Sequence, residues 1–322
     1  MKLLFRAERL EKNGIFSLPD MFVWCGSMVC DASGCHLYFS AWDRKYGFDA
    51  WVTHSGIGYA FAPEPGASYR FRSWCLPGSG INGTWDRDVT HNPTIFKYDG
   101  IFYLYYTGNF SDSKNWWDHR NHQRIGAAWS NAPDGQFHRS PLPVVEHPNA
   151  VMTSNPSVCR IPDGRFLMIY KWVAADRPSP FYGPVRHAAA FSSHPLGPFR
   201  VMKEDLFPVE GGDFPGEDPF VFERMGKLYC LLKDNGRNYS VFSRALILFE
   251  SEDGIQWKRK GAALSRKITL EDGSIRRYSR MERPQLTFCD NGVRLFCAVK
   301  PSVSSAESFS VNLKIHSPLL DT

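Results

Sequence analysis

The feature that most constrains the fold of this chain is an internal repeat. Five segments share one plan: two residues, then a proline or glycine, a short apolar run, a turn and a second apolar-aromatic run. The proline or glycine falls at Gly26, Pro93, Pro156, Pro219 and Pro284, with spacings of 67, 63, 63 and 65 residues. A regular period of this length indicates that one supersecondary unit is stacked several times.

Each repeat also contains a second hairpin, seen in stretches such as RIGAAWSNAPDGQFHRS and ILFESEDGIQWKRK. Turn residues between two apolar runs mark hairpins, so each unit supplies four strands. After the fifth hairpin only FSVNLKIHS remains, and the N-terminal LLFRAE could supply the missing strand. We predict an all-β, single-domain, five-bladed β-propeller over residues 1–322, with four antiparallel strands per blade and a ring closed by the terminal strands. A β-sandwich or a β-helix is the alternative, but neither predicts five equal units.

Composition excludes several classes of protein. A hydrophobic content of 43% with 22% charged residues is typical of a packed domain. The net charge of +5 is dispersed along the chain, so we expect no nucleic-acid partner. No apolar stretch is long enough to span a membrane, so we expect no membrane partner either. The sequence does not predict the oligomeric state.

The location follows from the N-terminal segment and the cysteines. The apolar run 3–5 is too short for a signal peptide, which predicts a cytoplasmic protein; the alternative is an exported protein without its leader. The eight cysteines show no CxxC spacing and no Cys/His cluster, so no structural zinc site is predicted. Most of them lie in apolar runs, and we expect buried free thiols in a reducing compartment.

The repeated proline predicts where a ligand would bind. The innermost strand of a blade is a sheet edge, which tolerates a residue without an N–H group. The two residues before each proline then lie near the mouth of the central channel. They include Trp24, His91, Asn92, Asn155, Glu217, Asp218, Glu282 and Arg283. Convergence from five blades is typical of a ligand pocket, although any one of these residues could instead cap a turn.

The motifs SNPSV and GEDPFVF, with the turns SNAPDGQF, SSHPLGPF and SEDGIQW, carry a resemblance to known enzymes. They resemble the five-bladed propeller glycoside hydrolases of families 43, 32, 68 and 117, over nearly the whole chain. The resemblance implies that carboxylates on different blades hydrolyse a glycosidic bond. These enzymes typically carry an Asp at the opening of the first blade, where this chain has Trp24 and Cys25. Family 43 has a further Asp in the third blade, where this chain has Asn155.

The fourth blade matches the family in residue type, which makes Glu217 the candidate general acid. Glycoside hydrolysis also needs an ionised carboxylate, and we expect Glu282 to be this base. Asp218 would orient Glu217 or exchange roles with it. Because consecutive strand residues point in opposite directions, only one of Glu217 and Asp218 is expected to face the ligand. The alternative is a salt bridge between blades, from Asp218 to Arg283 or from Glu282 to an arginine; contact with Arg283 would keep Glu282 ionised.

Seven further residues are predicted to bind the substrate: Trp24, His91, Asn92, Asn155, Arg283, Lys171 and Asp86. Tryptophan rings stack on the apolar faces of sugars. Asp86 precedes the second inner strand and could replace the missing first-blade carboxylate. The chemistry requires no cofactor, although histidines in the channel allow a bound Ca²⁺.

The sequence therefore predicts a glycosidase that acts on a carbohydrate substrate and removes a terminal sugar. One alternative is a sugar-binding propeller without catalysis, which the missing first-blade acid supports. Another is a glycoside phosphorylase, whose phosphate site could be formed by Arg283, His91 and Arg124.

Overall fold

The computed structural model describes residues 2–320 and confirms the five-bladed β-propeller. Two short strands come first, β1 Arg6–Ala7 and β2 Ile15–Phe16. Blade 1 contains β3 Met21–Asp31, β4 Gly34–Asp43, β5 Gly56–Ala62 and β6 Arg70–Leu76. Blade 2 contains β7 Val89–Tyr98, β8 Ile101–Asn109, β9 Arg124–Ser130 and β10 His138–Arg139. Blade 3 contains β11 Ala150–Arg160, β12 Phe166–Ala174, β13 Val185–Ser192 and β14 Arg200–Lys203.

The second half of the chain forms the other two blades and one insertion. Blade 4 contains β15 Gly216–Arg224, β16 Lys227–Asp234, β17 Leu246–Ser251 and β18 Lys258–Leu264. An inserted hairpin follows, β19 Lys267–Thr269 and β20 Ile275–Arg277. Blade 5 contains β21 Arg280–Cys289, β22 Gly292–Lys300 and β23 Phe309–His316. The helices are α1 Trp51–His54 and α2 Trp116–Asn121, with 3₁₀ turns at Lys12–Gly14, Arg44–Tyr46 and Phe48–Ala50. No helix within residues 2–320 is long and apolar enough to cross a membrane.

The N-terminal segment closes the ring, as the sequence predicted. Strand β1 pairs antiparallel with β23 and forms the outermost strand of blade 5. Just before it, the backbone N–H groups of Leu4 and Phe5 donate to the carbonyls of Ala262 and Ala263 in blade 4, both at 3.0 Å. The segment therefore ties the outer edges of two blades together.

Apolar side chains fill the space between neighbouring blades. Between blades 4 and 5, for example, Leu231 and Leu248 pack in one buried cluster with Leu295 and Leu313. Full burial of such a side chain contributes about 1.5–3 kcal/mol. The core therefore holds the blades in fixed relative positions and fixes where their inner strands meet.

Every inner strand contains a β-bulge at the repeated motif. In blade 4 the pairing with β16 skips from Glu217 to Phe220, and the other four inner strands skip at the equivalent place. The residue just before the proline or glycine has a positive φ in all five blades: Cys25 63°, Asn92 53°, Asn155 57°, Asp218 58° and Arg283 54°. Non-glycine residues seldom adopt this conformation. A bulge changes the direction in which a side chain points, so simple alternation does not apply at the motif.

Two of the eight cysteines depart from the prediction of free thiols. Cys30 and Cys35 lie opposite each other across the β3–β4 hairpin and form a disulfide, with their Cα atoms 4.1 Å apart. Because the turn between them is short, the hairpin register itself brings the two thiols together. The other six cysteines are free.

Candidate active site

A cavity of about 100 Å³ lies where the five inner strands begin. Eight of the residues predicted from the sequence line it: Trp24, His91, Asn92, Asn155, Lys171, Glu217, Asp218 and Glu282. Both carboxylates of the GEDPFVF motif are among them, because the bulge removes the alternation that we expected to separate them. The repeat therefore brings polar residues from all parts of the chain to one site.

The second residue of each motif belongs to a closed ring of side chains at the floor of the cavity. The thiol of Cys25 donates to Oδ1 of Asn92 at 2.9 Å, and Nδ2 of Asn92 donates to Oδ1 of Asn155 at 2.6 Å. Nδ2 of Asn155 donates to Oδ1 of Asp218 at 2.8 Å, and the backbone N–H of Arg283 donates to Oδ2 of Asp218 at 3.1 Å. Nε of Arg283 completes the circle at Sγ of Cys25, at 3.3 Å. We call these five residues the floor ring.

Arg283 holds the floor ring together from inside the channel. Its side chain is 1% exposed, and Nη2 donates to the backbone carbonyl of Asn92 at 3.3 Å. Nη1 lies 3.7 Å from Oδ1 of Asp218, which is the interblade ion pair considered from the sequence. Arg283 therefore lies beneath the cavity and does not contact Glu282 through an ion pair.

The first residue of each motif lies above the floor ring, and here two lysines join three blades. Lys171 of blade 3 contacts Oε1 of Glu217 in blade 4 at 2.5 Å. Lys233 of blade 4 contacts Oε1 of Glu282 in blade 5 at 2.7 Å and Oε2 of Glu217 at 3.5 Å. The two lysines have equivalent places in the repeat, since Lys171 pairs with Ser154 and Lys233 with Glu217 in the strand register. Each lysine thus neutralises the glutamate of the next blade.

The surroundings shift the pKa values of the neighbouring acids Glu217 and Asp218 in opposite directions. Burial acts to raise the pKa of Glu217, but the charges of Lys171 and Lys233 outweigh it and lower this pKa to about 2. Burial and the charge of Glu217 raise the pKa of Asp218 to about 6, against the opposing charges of Arg283 and Lys233. Glu217 is therefore ionised at neutral pH. Both oxygens of Asp218 accept hydrogen bonds from the floor ring, so Asp218 anchors the site from below.

Glu282 differs from Glu217 in how its oxygens are used. Its Oε1 contacts Lys233 and, at 3.6 Å, Nη1 of Arg280. Within residues 2–320 its Oε2 has no hydrogen-bond partner. Glu282 therefore does pair with an arginine, but the partner is Arg280 of the same strand, so this is not the salt bridge between blades that we considered. One oxygen of Glu282 remains available to a ligand.

Aromatic rings form the opposite side of the cavity. Trp51 stacks on His91, with ring centroids 5.0 Å apart. Trp116, the first residue of α2 in the segment between β8 and β9, packs edge-on against Trp51 with ring centroids 5.8 Å apart. Nδ1 of His91 lies 2.7 Å from Oγ of Ser55, which leaves Nε2 as the ring nitrogen available to a ligand. Burial, with the charges of Arg283 and Lys171, holds the pKa of His91 well below its usual value. His91 is therefore a neutral hydrogen-bonding group.

Two of the predicted substrate-binding residues do not line the cavity: Arg283 lies beneath it, and Asp86 lies away from it. Asp86 is buried outside the cavity lining, where it accepts hydrogen bonds from the hydroxyl of Tyr106 at 2.9 Å and from Nη1 of Arg139 at 2.6 Å. The loop that carries it packs against blade 2 instead of covering the cavity. Asp86 therefore does not replace the missing first-blade carboxylate in this cavity.

The cavity does not fit a bound cation. Within residues 2–320, no group of three or more His, Cys, Asp and Glu side chains could hold a metal ion. The ammonium groups of Lys171 and Lys233 already occupy the places beside Glu217 that a cation would need. We therefore derive no chemical step through a metal.

Sequence reasoning missed four residues that line the cavity: Trp42, Phe48, Gln123 and Arg280. Arg280 stands two residues before Glu282, so the repeat could have identified it. Trp42 stands near the end of β4, two residues beyond the first-blade counterpart of the two lysines. Phe48 and Gln123 lie in loops between strands, where the repeat gives no signal.

Comparison with known proteins supports the fold but not a close relationship. No protein-family model and no curated protein matches this chain. Solved structures do match it. One is Zg3597, a family 117 glycoside hydrolase of the marine bacterium Zobellia galactanivorans, with a TM-score of 0.66 and 15% identity, covering 98% of this chain and 90% of that one. Another is a thermostable family-43 glycoside hydrolase, with a TM-score of 0.65 and 15% identity, covering 95% and 97%.

A third structure is the GH43_1 enzyme from Xanthomonas citri complexed with xylose, with a TM-score of 0.63 and 14% identity, covering 98% of this chain and 90% of that one. At these identities the likeness establishes the fold. The chain thus shares its five-bladed propeller with glycoside hydrolases of families 117 and 43, as the sequence motifs indicated.

Proposed function

We propose that this chain is a glycoside hydrolase that removes a terminal sugar from an oligosaccharide or a polysaccharide-derived glycoside. The observation that carries the proposal is the meeting of two glutamates, the partly buried Glu217 and the buried Glu282, with tryptophan rings in one cavity. Aromatic faces and carboxylates are the groups that bind and cleave a sugar. The structural likeness to glycoside hydrolases, one of them complexed with xylose, supports the same class.

The charges around the two glutamates suggest a division of roles. Glu217 is held ionised by two lysines, and this is the form that activates water or attacks the anomeric carbon. Within residues 2–320, Glu282 has one oxygen without a protein partner, so we assign it the transfer of a proton to the leaving oxygen as the glycosidic bond breaks; this role requires Glu282 to take up that proton first on Oε2, the oxygen that does not contact Lys233. This assignment exchanges the roles that the family resemblance implied. The configuration of the first-formed product, followed by NMR, distinguishes water activation from direct attack.

The shape of the cavity favours action at a chain end. The floor ring closes the channel beneath the cavity, so a glycan cannot thread through the propeller. A cavity of about 100 Å³ is too small to hold more than one sugar ring. The terminal residue would therefore occupy the cavity, with the rest of the glycan outside.

A second candidate is a sugar-binding propeller without catalysis. Two observations favour it. At the positions where the family resemblance implies carboxylates, Cys25 and Asn155 hydrogen-bond within the floor ring. Both glutamates also contact lysines, which is an arrangement that can serve binding alone.

Turnover measurements separate the two candidates. Wild-type protein and Glu217→Gln are assayed against a panel of aryl glycosides and oligosaccharides, with Glu223→Gln as the matched control. Glu223 lies exposed at the far end of the same strand. We expect Glu217→Gln to lose about 10²–10⁴-fold in kcat and the control to keep full activity. Release of no sugar by the wild type, with binding retained, would favour the non-catalytic candidate.

The cellular location is a separate proposal. The sequence favours a cytoplasmic protein, whereas the Cys30–Cys35 disulfide is typical of an oxidising compartment. Fractionation of the native host, followed by detection of the chain, decides between the two.

A further inference from the structure

Four arginines lie in blades 4 and 5 and in the hairpin inserted between them, and one of them, Arg280, lines the cavity. Arg244 lies in the loop after β16, Arg266 at the start of the inserted hairpin, Arg277 at its end and Arg280 at the start of β21. We call these four residues the arginine rim. Arg244, Arg277 and Arg280 are exposed, and Arg266 is half-buried.

Backbone and side-chain contacts connect the arginine rim to the cavity. Arg280 lines the cavity and pairs with Glu282 at 3.6 Å. Nη1 of Arg266 donates to the carbonyls of Tyr278 at 3.2 Å and Ser279 at 2.5 Å, directly before Arg280. Lys267, the residue after Arg266, lies opposite Arg277 in the strand register of the inserted hairpin. Arg266 and Arg277 are therefore joined to the wall that carries Glu282, and Arg244 lies close enough for its charge to act on Arg266.

The positive charge of the arginine rim is largely uncompensated. Within residues 2–320, no carboxylate lies within 4.0 Å of Arg244, Arg266 or Arg277. Nε of Arg266 is buried without a hydrogen-bond partner. Burial lowers the pKa of Arg266, and the charges of Arg277 and Arg244 lower it further, whereas the charge of Glu282 acts in the opposite direction. Holding like charges together without counter-charges is unfavourable for a folded protein, and a bound anion would relieve this cost.

We propose that the arginine rim binds an anionic group of the saccharide, so that the glycan recognised by the cavity is acidic. A guanidinium group binds planar or tetrahedral anions through two parallel hydrogen bonds, which suits the carboxylate of a uronic acid or a sulfate ester. The terminal sugar enters the cavity, and the rim contacts the anion on that sugar or on the next one. The inference rests on the proposed function for the carbohydrate nature of the ligand.

Binding is measured by calorimetry with Glu217→Gln as the background, so that no substrate is consumed. The probes are a uronic-acid oligosaccharide, a sulfated oligosaccharide, a neutral oligosaccharide of equal length and inorganic phosphate. We expect at least one acidic oligosaccharide to bind more tightly than the neutral one, with an affinity that falls as salt is added. Arg244→Ala combined with Arg277→Ala should weaken that binding about tenfold. Lys258→Ala, an exposed cation at the far end of blade 4, is the control and should change nothing.

The probes also identify the anion and the failure modes. Preference for the uronic-acid or the sulfated probe identifies the source of the charge and supports the proposal. Equal affinity for acidic and neutral probes, or no effect of the double variant, overturns it. Rim-dependent binding of phosphate alone also overturns it and favours phosphorolysis. If the double variant does not fold, Arg244→Gln and Arg277→Gln are tested singly. Acidic glycan binding without hydrolysis by the wild type would contradict the proposed function and leave the rim proposal intact.

Discussion

Replacing Lys233 with methionine tests the charge arrangement of the cavity. Among residues 2–320, Lys233 is the one ammonium group that contacts both glutamates, at 2.7 Å from Glu282 and 3.5 Å from Glu217. Its side chain is 7% exposed, and methionine keeps most of its length without the charge. The variant therefore leaves the partly buried carboxylate of Glu217 and the buried carboxylate of Glu282 facing each other, with Lys171 on one side and Arg280 on the other.

The expected loss of stability follows from the pKa of Glu217 and from the cost of unpaired buried charge. A pKa of about 2, against 4.5 for an unperturbed glutamate, corresponds to about 3 kcal/mol of stability at neutral pH, shared between the two lysines. Removing one partner of a buried ion pair costs about 3–5 kcal/mol. We therefore expect Lys233→Met to lower the free energy of unfolding by about 3–5 kcal/mol at pH 7.

The pH dependence has a definite sign. Because the pKa of Glu217 is lower in the folded than in the unfolded protein, its stabilisation is complete well above pH 4.5 and is lost as the pH falls towards 2. The difference between wild type and Lys233→Met should therefore shrink by about half or more between pH 7 and pH 3. Urea denaturation, followed by tryptophan fluorescence at both pH values, measures this difference.

Lys227→Met is the matched control for this experiment. Lys227 lies on the same strand but is about half exposed, and it contacts Glu250 at 3.7 Å. An exposed pair of this kind contributes at most about 1 kcal/mol. Equal losses in the two variants, or a loss in Lys233→Met that does not change with pH, would refute the charge arrangement described for the cavity.

Three further predictions concern the floor ring, the aromatic wall and the disulfide. Asn155→Asp places a second carboxylate 2.8 Å from Asp218 and raises the pKa of the pair. Urea denaturation should show a loss of about 1–3 kcal/mol at pH 7 that diminishes as the pH falls, and unchanged stability at pH 7 would contradict the floor ring. Trp51→Ala should raise KM for the preferred glycoside about tenfold while Trp51→Phe does not; an unchanged KM would remove Trp51 from the substrate wall. Alkylation of the denatured, unreduced protein should label the six free thiols, and mass spectrometry that finds eight labels would contradict the Cys30–Cys35 disulfide.

The repeat was enough to predict the fold because each repeat in the sequence corresponds to one blade of the propeller. Each proline, with Gly26 in blade 1, identifies one inner strand, although it lies inside the strand and not at its first residue, and the order of hairpins sets the order of strands within a blade. Even the strand that closes the ring was predictable, because FSVNLKIHS left blade 5 one strand short and LLFRAE could supply it. These inferences need only local pattern and strand count.

The depth at which each motif residue lies in the site was less predictable, because it depends on the β-bulge. Strict alternation separates Glu217 from Asp218, whereas a bulge residue with positive φ lets both line the cavity at different depths. The bulge also places in the floor ring the two residues at which this chain departs from the family pattern. Cys25 and Asn155 stand where carboxylates are implied, and here they are neutral members of the floor ring that bond across blades. Contacts between blades cannot be obtained from the sequence of one blade.

The cysteine prediction failed for a local reason. Cys30 and Cys35 lie at the end of one hairpin, and only the register shows that they face each other. The prediction that Asp86 would reach the cavity failed for a different reason, since a loop can pack on either side of a blade. Its pairing with Arg139, which stands 53 residues away in the sequence, determines which side it takes.

A crystal structure of Glu217→Gln with a bound oligosaccharide tests the central claim most directly, because it shows where the scissile bond lies. We predict the terminal sugar in the cavity against Trp51, with the glycosidic oxygen within about 3.2 Å of a carboxyl oxygen of Glu282. A sugar bound outside the cavity, or a glycosidic bond beyond hydrogen-bonding reach of both position 217 and Glu282, would contradict the claim that these two glutamates form the catalytic pair.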